Sequence, residues 1–249
     1  MMRRTALLSL VLLLVSGCKD QSAQDQAKRT QALLTDTTVP VKVARSRTMD
    51  LTESLEVTVL MSDIRGYSTI AERADPAALA LQLNTHRGEM NRAILAEGGT
   101  VMQYVGDAVM AVFGAPTPSK DHADRSLSAA LAMHAAQAAV NEEWSLTGQP
   151  AFGLGIGLST GEVAAALLGS EERLEYTVVG DAVNLAQRLQ QLGQPGQTVV
   201  SEATWANLTV QPSPAERLDA QLVKGRDNPV APYRIGPAPV GLVSEGEVG

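Results

Sequence analysis

Hydrophobic and polar residues alternate along the chain with two different periods, and the changes of period predict its strands and helices. Residues 57–61 form an apolar run of strand length, after which the chain reaches Asp63. A helix is predicted next, because Asp75 and Pro76 supply an N-cap and a first-turn proline and a glycine pair at 98–99 ends the pattern. The apolar residues at helical spacing between these signals are Leu79, Leu83, Met90 and Ile94.

The pattern continues with a hairpin, two further helices and further strands. Apolar runs at 101–105 and 108–113 predict the hairpin, and its turn contains Asp107. The order of strands and helices predicts an α+β fold in which helices pack on an antiparallel sheet. The remaining predicted elements are a helix over about 121–144, strands over 152–158 and 162–168 with a turn at Ser159-Thr160-Gly161, a helix from Asp181, and closing strands over 218–223 and 230–235.

Composition and charge narrow the classes of protein that fit this pattern. The 249 residues suffice for one substantial domain, and with 45% hydrophobic but only 3% aromatic residues the core has to rely on aliphatic side chains. A net charge of −7 without a basic stripe excludes a nucleic-acid partner. The single cysteine excludes an intrachain disulfide framework and a zinc site built from several cysteines.

Residues 1–18 have the pattern of an export signal. Arg3 and Arg4 precede an uncharged apolar run at 7–15, which is short for a membrane span but fits a signal-peptide core. The Val-Ser-Gly-Cys sequence that ends at Cys18 resembles a bacterial lipobox, in which the cysteine is acylated and becomes the new N-terminus. We therefore expect a lipoprotein attached to a membrane through Cys18. The alternative is an uncleaved anchor with an incidental cysteine, and either route would place the remainder outside the cytoplasm.

Residues 19–56 are predicted to be a tether. Positions 19–38 are polar and rich in Gln, Asp and Thr, without a sustained apolar period. Positions 39–58 alternate like short strands, and together with the leader they resemble the opening of a periplasmic adaptor of a tripartite efflux pump. A generic secretion leader and tether is the alternative interpretation.

Two aspartates have the placement of metal ligands. Asp63 ends a buried strand and Asp107 lies in a neighbouring hairpin turn, so both can reach one edge of the sheet. Hard oxygen ligands at such an edge suit Mg²⁺ or Mn²⁺ that bridge triphosphate oxygens. Taken alone, each acid is better explained as a turn former or a cap. Their sequence contexts change that interpretation.

Four segments resemble the signature blocks of the class III adenylyl and guanylyl cyclases. They occur in the family's order across residues 57–236, which identifies this range as a catalytic domain followed by a C-terminal tail over 237–249. The resemblance implies a ferredoxin-like (palm-type) antiparallel sheet with helices on its faces, and conversion of a nucleoside triphosphate to a 3′,5′-cyclic nucleotide and pyrophosphate. The segments are VLMSDIRGYS at 59–68, GTVMQYVGDAVMAVFG at 99–114, RLEYTVVGDAVNLAQRL at 173–189 and, more weakly, VKGR at 223–226.

The resemblance also implies the residues that perform catalysis. In this family two aspartates and the carbonyl after the first hold two divalent cations, Mg²⁺ or Mn²⁺, and here these are Asp63, Ile64 and Asp107. Asn184 orients the ribose. Arg188, one helical turn later, stabilises charge on the α-phosphoryl group in the transition state.

Other residues of these blocks are implied to bind the substrate. The loop after the first strand, with Gly66, Tyr67 and Ser68, can direct backbone N–H groups at phosphate oxygens. Lys224, or the neighbouring Arg226, is a candidate for the terminal phosphates, with a solvated turn as the alternative.

The base-selecting positions depart from the family's usual residues. Adenylyl cyclases usually have Lys with Asp or Thr at these positions and guanylyl cyclases have Glu with Cys, whereas this chain has Gln103 and Thr177. A glutamine amide can serve either base, because it both donates and accepts hydrogen bonds. We expect ATP as the main substrate, with measurable turnover of GTP.

Family resemblance further implies a head-to-tail homodimer with two equivalent sites, because this chain carries both the metal aspartates and the Asn and Arg. Two other functions stay open: a nucleotide-binding or dimerisation module with little or no turnover, and a fragment of an efflux adaptor. The compartment also stays open, since the leader favours the periplasm and the chemistry favours the cytoplasm. An inefficient leader, a junction of unrelated segments near 55–60, or an exported and idle domain would each resolve the conflict.

Overall fold

The strands and helices follow the sequence pattern along most of the chain. The computed structural model describes residues 53–170, 173–220 and 229–236, with the backbone alone for 53, 167–170 and 173–175. In chain order the elements are β1 (Glu53–Ile64), α1 (Tyr67–Arg73), α2 (Pro76–Ala96), β2 (Thr100–Val105), β3 (Ala108–Phe113), α3 (His122–Leu146), β4 (Leu154–Ser170), β5 (Arg173–Val179), α4 (Asp181–Leu192), β6 (Gln197–Val200), α5 (Glu202–Asn207), β7 (Ala215–Arg217) and β8 (Tyr233–Ile235).

The described strands form one eight-stranded sheet. Its order is β2-β3-β1-β4-β6-β8-β7, and β5 also pairs with β4. β4 and β6 run parallel, whereas the other pairs are antiparallel. The predicted α+β fold is confirmed, with one parallel pair that makes the sheet mixed rather than wholly antiparallel.

The centre of the sheet is covered on both faces because β1 is apolar on both. Leu60 and Ile64 belong to the core cluster formed with α2 and α3, whereas Val57 and Val59 pack with residues of α4. Alternate side chains of a strand point to opposite faces, so β1 lies between α2 and α3 on one face and α4 on the other. This burial fixes the register of β1, and with it the position of Asp63 near its end.

The predicted start of α2 is confirmed by its cap. The Asp75 carboxylate accepts a hydrogen bond from the Ala78 N–H at 2.9 Å, and Pro76 is the first helical residue. The β2–β3 hairpin, α3 and α4 also lie where the sequence pattern places them.

The turn predicted at residues 159–161 is wrong. β4 continues through these residues, which pair with residues 57–59 of β1. The Thr160 hydroxyl lies 2.7 Å from Thr58 Oγ1 and donates to Thr204 Oγ1 at 3.0 Å. The Thr160 hydroxyl is therefore satisfied inside the core. Ser159 Oγ is buried without a hydrogen-bond partner among the described residues, and it is the main-chain pairing with β1 that carries the strand through.

The closing strand predicted over 218–223 is displaced. The edge strand β7 forms earlier, and residues 218–220 are not in a strand. Every residue of β7 is exposed, so the apolar pattern behind the prediction does not mark it. The pattern also misses α1, β5, β6 and α5, none of which is longer than 7 residues.

The leader and the tail lie outside the described residues. So do Cys18, residues 19–52 of the predicted tether, and Lys224. Their roles stay predictions, as does attachment to a membrane. Within the described ranges, no helix has the length and apolar character needed to cross a bilayer.

The contact between α4 and β4 sets a steric limit at Gly157. A Cβ at Gly157 would overlap backbone atoms of Ala186 and Gln190. Gly157→Ala should therefore lower the free energy of unfolding by about 1–3 kcal/mol or more, as measured by urea titration. Gly161→Ala is the matched control, since its Cβ would lie 3.4 Å from Ala182 Cβ, an ordinary contact. Equal losses in the two variants would contradict this placement of α4.

His134 on α3 makes the stability of the fold depend on pH. Its Nε2 lies 3.1 Å from Thr198 Oγ1, and burial lowers the pKa of His134 from 6.5 to about 4. Between pH 6.5 and about 4, His134 is protonated in the unfolded chain but not in the folded chain. Stability is therefore lost as the pH falls through this range. Between neutral pH and pH about 5, His134→Gln should reduce this loss by roughly 1–2 kcal/mol in urea unfolding. An unchanged pH dependence would exclude His134 as its source.

Candidate active site

The structure brings Asp63, Ile64 and Asp107 together at the end of β1. Asp107 lies in the turn between β2 and β3, and β3 pairs with β1, so this turn reaches the C-terminal end of β1. The Ile64 N–H donates to Asp107 Oδ2 at 3.0 Å. Arg87 of α2 donates to the carbonyl of Gly106 and thereby holds the turn from the other side.

The two carboxylates repel each other in a partly buried place. Burial, a hydrogen bond with Asp107 and the charge of Asp107 raise the pKa of Asp63 from 3.8 to about 6. Arg65 and a hydrogen bond from Gln190 oppose this rise. Arg65 balances only part of the negative charge of these two carboxylates. Their hard oxygen atoms therefore suit a divalent cation such as Mg²⁺ or Mn²⁺.

The side chains alone do not complete a metal site. Among the described residues, no group of three or more His, Cys, Asp or Glu side chains has a metal-binding arrangement. The Ile64 carbonyl, water and substrate oxygens would have to supply the remaining ligands, as is common for Mg²⁺.

The loop after β1 is shaped by Gly66. This residue has φ 70° and forms the N-cap of α1, and its carbonyl accepts from the Ile70 N–H at 3.1 Å. Only glycine adopts such a left-handed conformation without strain. The Tyr67 ring packs edge-on against Phe152 at 6.2 Å between centroids, so this side chain supports the core. Ser68 is exposed.

Asn184 and Arg188 lie on the outward side of α4. The opposite side of the helix is buried against the sheet. Asn184 is exposed and Arg188 is half-buried. Neither side chain forms a hydrogen bond or an ion pair with another described residue. Within one chain, Asn184 and Arg188 therefore form no hydrogen bond or ion pair with Asp63 or Asp107.

The base-selecting candidates also lie apart. Gln103 is exposed on β2, next to an irregularity in its pairing with β3. Thr177 is half-buried on β5, opposite Ala166 of β4. Three strands, β3, β1 and β4, intervene between β2 and β5 in the sheet. A single chain therefore does not pair these two residues within its sheet.

Two residues at the site are missed by reasoning from the sequence. Arg65 places Nη1 3.5 Å from Asp63 Oδ2 and donates through Nη2 to the main-chain carbonyl of Gln190. Gln190 is buried in α4 and also donates to Asp63. Arg65 lies in the first signature block, but only the fold shows that α4 ends beside it.

Comparisons with known proteins match the chain to one family. Residues 49–235 match the family described as the adenylate and guanylate cyclase catalytic domain. An adenylate cyclase from Anabaena cylindrica is 35% identical over 187 residues, which cover 72% of this chain and 36% of that protein. The chain thus spans well under half the length of this curated relative.

Solved structures of both base specificities are similar. The guanylyl cyclase Cya2 superposes with a TM-score of 0.70 at 31% identity, covering 76% of this chain and 97% of that one. The adenylyl cyclase CyaB from P. aeruginosa gives 0.68 at 30% identity, covering 75% and 96%. The similarity therefore extends over nearly the whole of each solved catalytic chain and does not favour either base.

Proposed function

This chain belongs to the adenylate and guanylate cyclase catalytic domain family, and we propose that it converts ATP, and more slowly GTP, to the 3′,5′-cyclic nucleotide and pyrophosphate. The observation that carries the proposal is the convergence of Asp63 and Asp107 at the end of β1. Their paired negative charge at an accessible sheet edge is suited to a metal-bound triphosphate.

Each residue has a task in this reaction. Asp63, Asp107 and the Ile64 carbonyl would hold two divalent cations, which supply activation of the ribose 3′-hydroxyl and neutralise the triphosphate. The backbone of the Gly66 loop binds phosphate oxygens. The 3′-oxygen forms the new bond to the α-phosphorus, pyrophosphate leaves with the electrons of the broken P–O bond, and the hydroxyl proton passes to solvent. Arg188 stabilises the charge that builds up on the α-phosphoryl oxygens.

A homodimer would complete the site. Asn184 and Arg188 point outward from the fold that carries Asp63 and Asp107, so a second copy has to supply them in a head-to-tail arrangement. An exposed apolar residue lies next to each group of candidate site residues. Val105 precedes the turn that contains Asp107, and Val179 precedes α4, which carries Asn184 and Arg188. Apolar side chains that are 56% and 54% exposed at these places support an interface.

Base selection tests the substrate part of the proposal. The full-length chain, purified and supplied with Mn²⁺, should form both cyclic nucleotides, with the ATP product forming faster. Gln103→Lys should raise the ratio of ATP to GTP turnover by about tenfold, because an ammonium donates to adenine N1 but cannot accept from the guanine N1–H. Gln211→Lys, at an exposed loop position, is the control for added charge.

Three results would count against this proposal. Strict preference for GTP would refute the substrate assignment. An unchanged ratio in Gln103→Lys would remove Gln103 from the base pocket. Binding of nucleotide without product would favour the alternative, a nucleotide-binding or dimerisation module.

A further inference from the structure

One guanidinium joins the sheet edge that holds Asp63 to the helix that carries Asn184 and Arg188. Arg65 pairs with Asp63 at 3.5 Å and donates to the main-chain carbonyl of Gln190. Gln190 lies in the last turn of α4, where the helix dipole favours a cation. The guanidinium of Arg65 therefore contacts the Asp63 carboxylate and the C-terminal end of α4 at the same time.

The side chain of Arg65 is enclosed by its surroundings, with Nε buried and without a hydrogen-bond partner among the described residues. Its side chain is only 21% exposed. A Cβ at Gly155 of β4 would overlap the guanidinium, so the absence of a side chain at this glycine leaves room for the guanidinium. The main-chain N–H of Arg65 donates to the Gly153 carbonyl at 2.7 Å, which fixes the start of the side chain. A planar guanidinium can make two directed contacts at once, unlike a lysine ammonium on its flexible stem.

We propose that Arg65 is a positioning residue that couples the two half-sites carried by one chain. The proposal rests on the proposed function, in which Asp63 and Asp107 act with Asn184 and Arg188 of the partner subunit. Within one chain, Arg65 then touches the metal half of one active site and the helix that serves the other. Its removal has two separate consequences: the metal half gains net negative charge, and α4 loses its C-terminal anchor.

A heterodimer with one working site can separate these consequences. One chain carries Arg188→Ala and keeps its metal half, and the other carries Asp107→Asn and keeps Asn184 and Arg188. Arg65→Met is then added to one chain or to the other. Arg73→Met is the matched control, because Arg73 is a nearby exposed arginine in the last turn of α1.

The two placements should have different kinetic signatures. In the chain with the working metal half, Arg65→Met should lower the Mn²⁺ concentration for half-maximal activity by about threefold to tenfold, because a positive charge near the cations is gone. In the chain with the working Arg188, it should lower kcat by about tenfold and leave the Mn²⁺ dependence unchanged, because α4 is misplaced. Damage to the fold alone would give the same loss in both placements.

Hydrogen exchange gives a readout that is independent of activity. In the metal-free homodimer, Arg65→Met should speed amide exchange in the last turn of α4 by about tenfold and leave α2 unchanged. Gly155→Ala, which displaces the guanidinium without removing it, should do the same, and it replaces Arg65→Met if that variant fails to fold. The proposal requires faster exchange in α4 and both kinetic signatures, and the absence of any one overturns it. An inactive parent heterodimer would instead count against the proposed function, and the exchange experiment would then decide the role of Arg65.

Discussion

Replacing Asp107 by asparagine should lower turnover by on the order of a thousandfold with little change in stability. The amide oxygen can still accept from the Ile64 N–H, which Asp107 binds at 3.0 Å, so the turn keeps its contact with the end of β1. What disappears is the negative charge that, with Asp63, attracts divalent cations. Cyclic nucleotide formation with Mn²⁺ and ATP measures the loss, and urea unfolding checks the fold.

The comparison with Asp107→Ala separates charge from structure. Alanine removes both the charge and the hydrogen-bond acceptor, so it should lose activity and also some stability, about 1–3 kcal/mol for the unpaired N–H. Asp219→Asn, an exposed carboxylate, should retain wild-type activity. If Asp107→Asn kept more than about a tenth of wild-type turnover, a role as an anionic metal ligand would be ruled out.

Replacing Arg188 by alanine should lower kcat by about a hundredfold to a thousandfold, because a charge that stabilises the transition state is lost. KM for ATP should change little, since the triphosphate is bound mainly by other groups. Arg188 makes no hydrogen bond or ion pair with another described residue, so the free energy of unfolding should stay close to wild type.

Two further variants make the Arg188 result specific. Gln187→Ala changes the neighbouring exposed residue of α4 and should leave kcat unaltered. Arg188→Lys keeps a positive charge and should recover part of the activity. A loss in KM with unchanged kcat would assign Arg188 to ground-state binding and contradict the role proposed here.

Long periodic segments of the fold could be predicted from the sequence. α2 has its N-cap at Asp75 and its proline at Pro76, and these local signals do not depend on the rest of the chain. The β2–β3 hairpin is predicted by local signals as well, because two apolar runs flank a short glycine-containing turn. Such features are decided within about twenty residues of sequence.

Features that depend on distant residues could not be predicted in this way. The continuity of β4 through residues 159–161 depends on hydroxyl groups of Thr58 and Thr204, which no local pattern connects to Thr160. The short strands β6 and β7 form because β4 and β8 offer edges to pair with. Local propensity is too weak to mark elements of 4 and 3 residues.

The candidate site shows the same division. Signature blocks name Asp63, Asp107, Asn184 and Arg188, but they do not show that α4 turns the last two outward while the end of β1 holds the first two. The Arg65 contact depends on the space left at Gly155 of β4, 90 positions away in sequence, and only the folded sheet brings the two residues together.

Mixing two inactive variants tests the central claim most directly, namely that each active site combines the metal aspartates of one chain with the arginine of another. Asp107→Asn chains and Arg188→Ala chains should each be nearly inactive alone. Co-refolded in equal amounts, they should regain about a quarter of wild-type activity, because half of the dimers are mixed and each mixed dimer has one intact site. Activity no greater than the sum of the two separate variants would contradict the shared site.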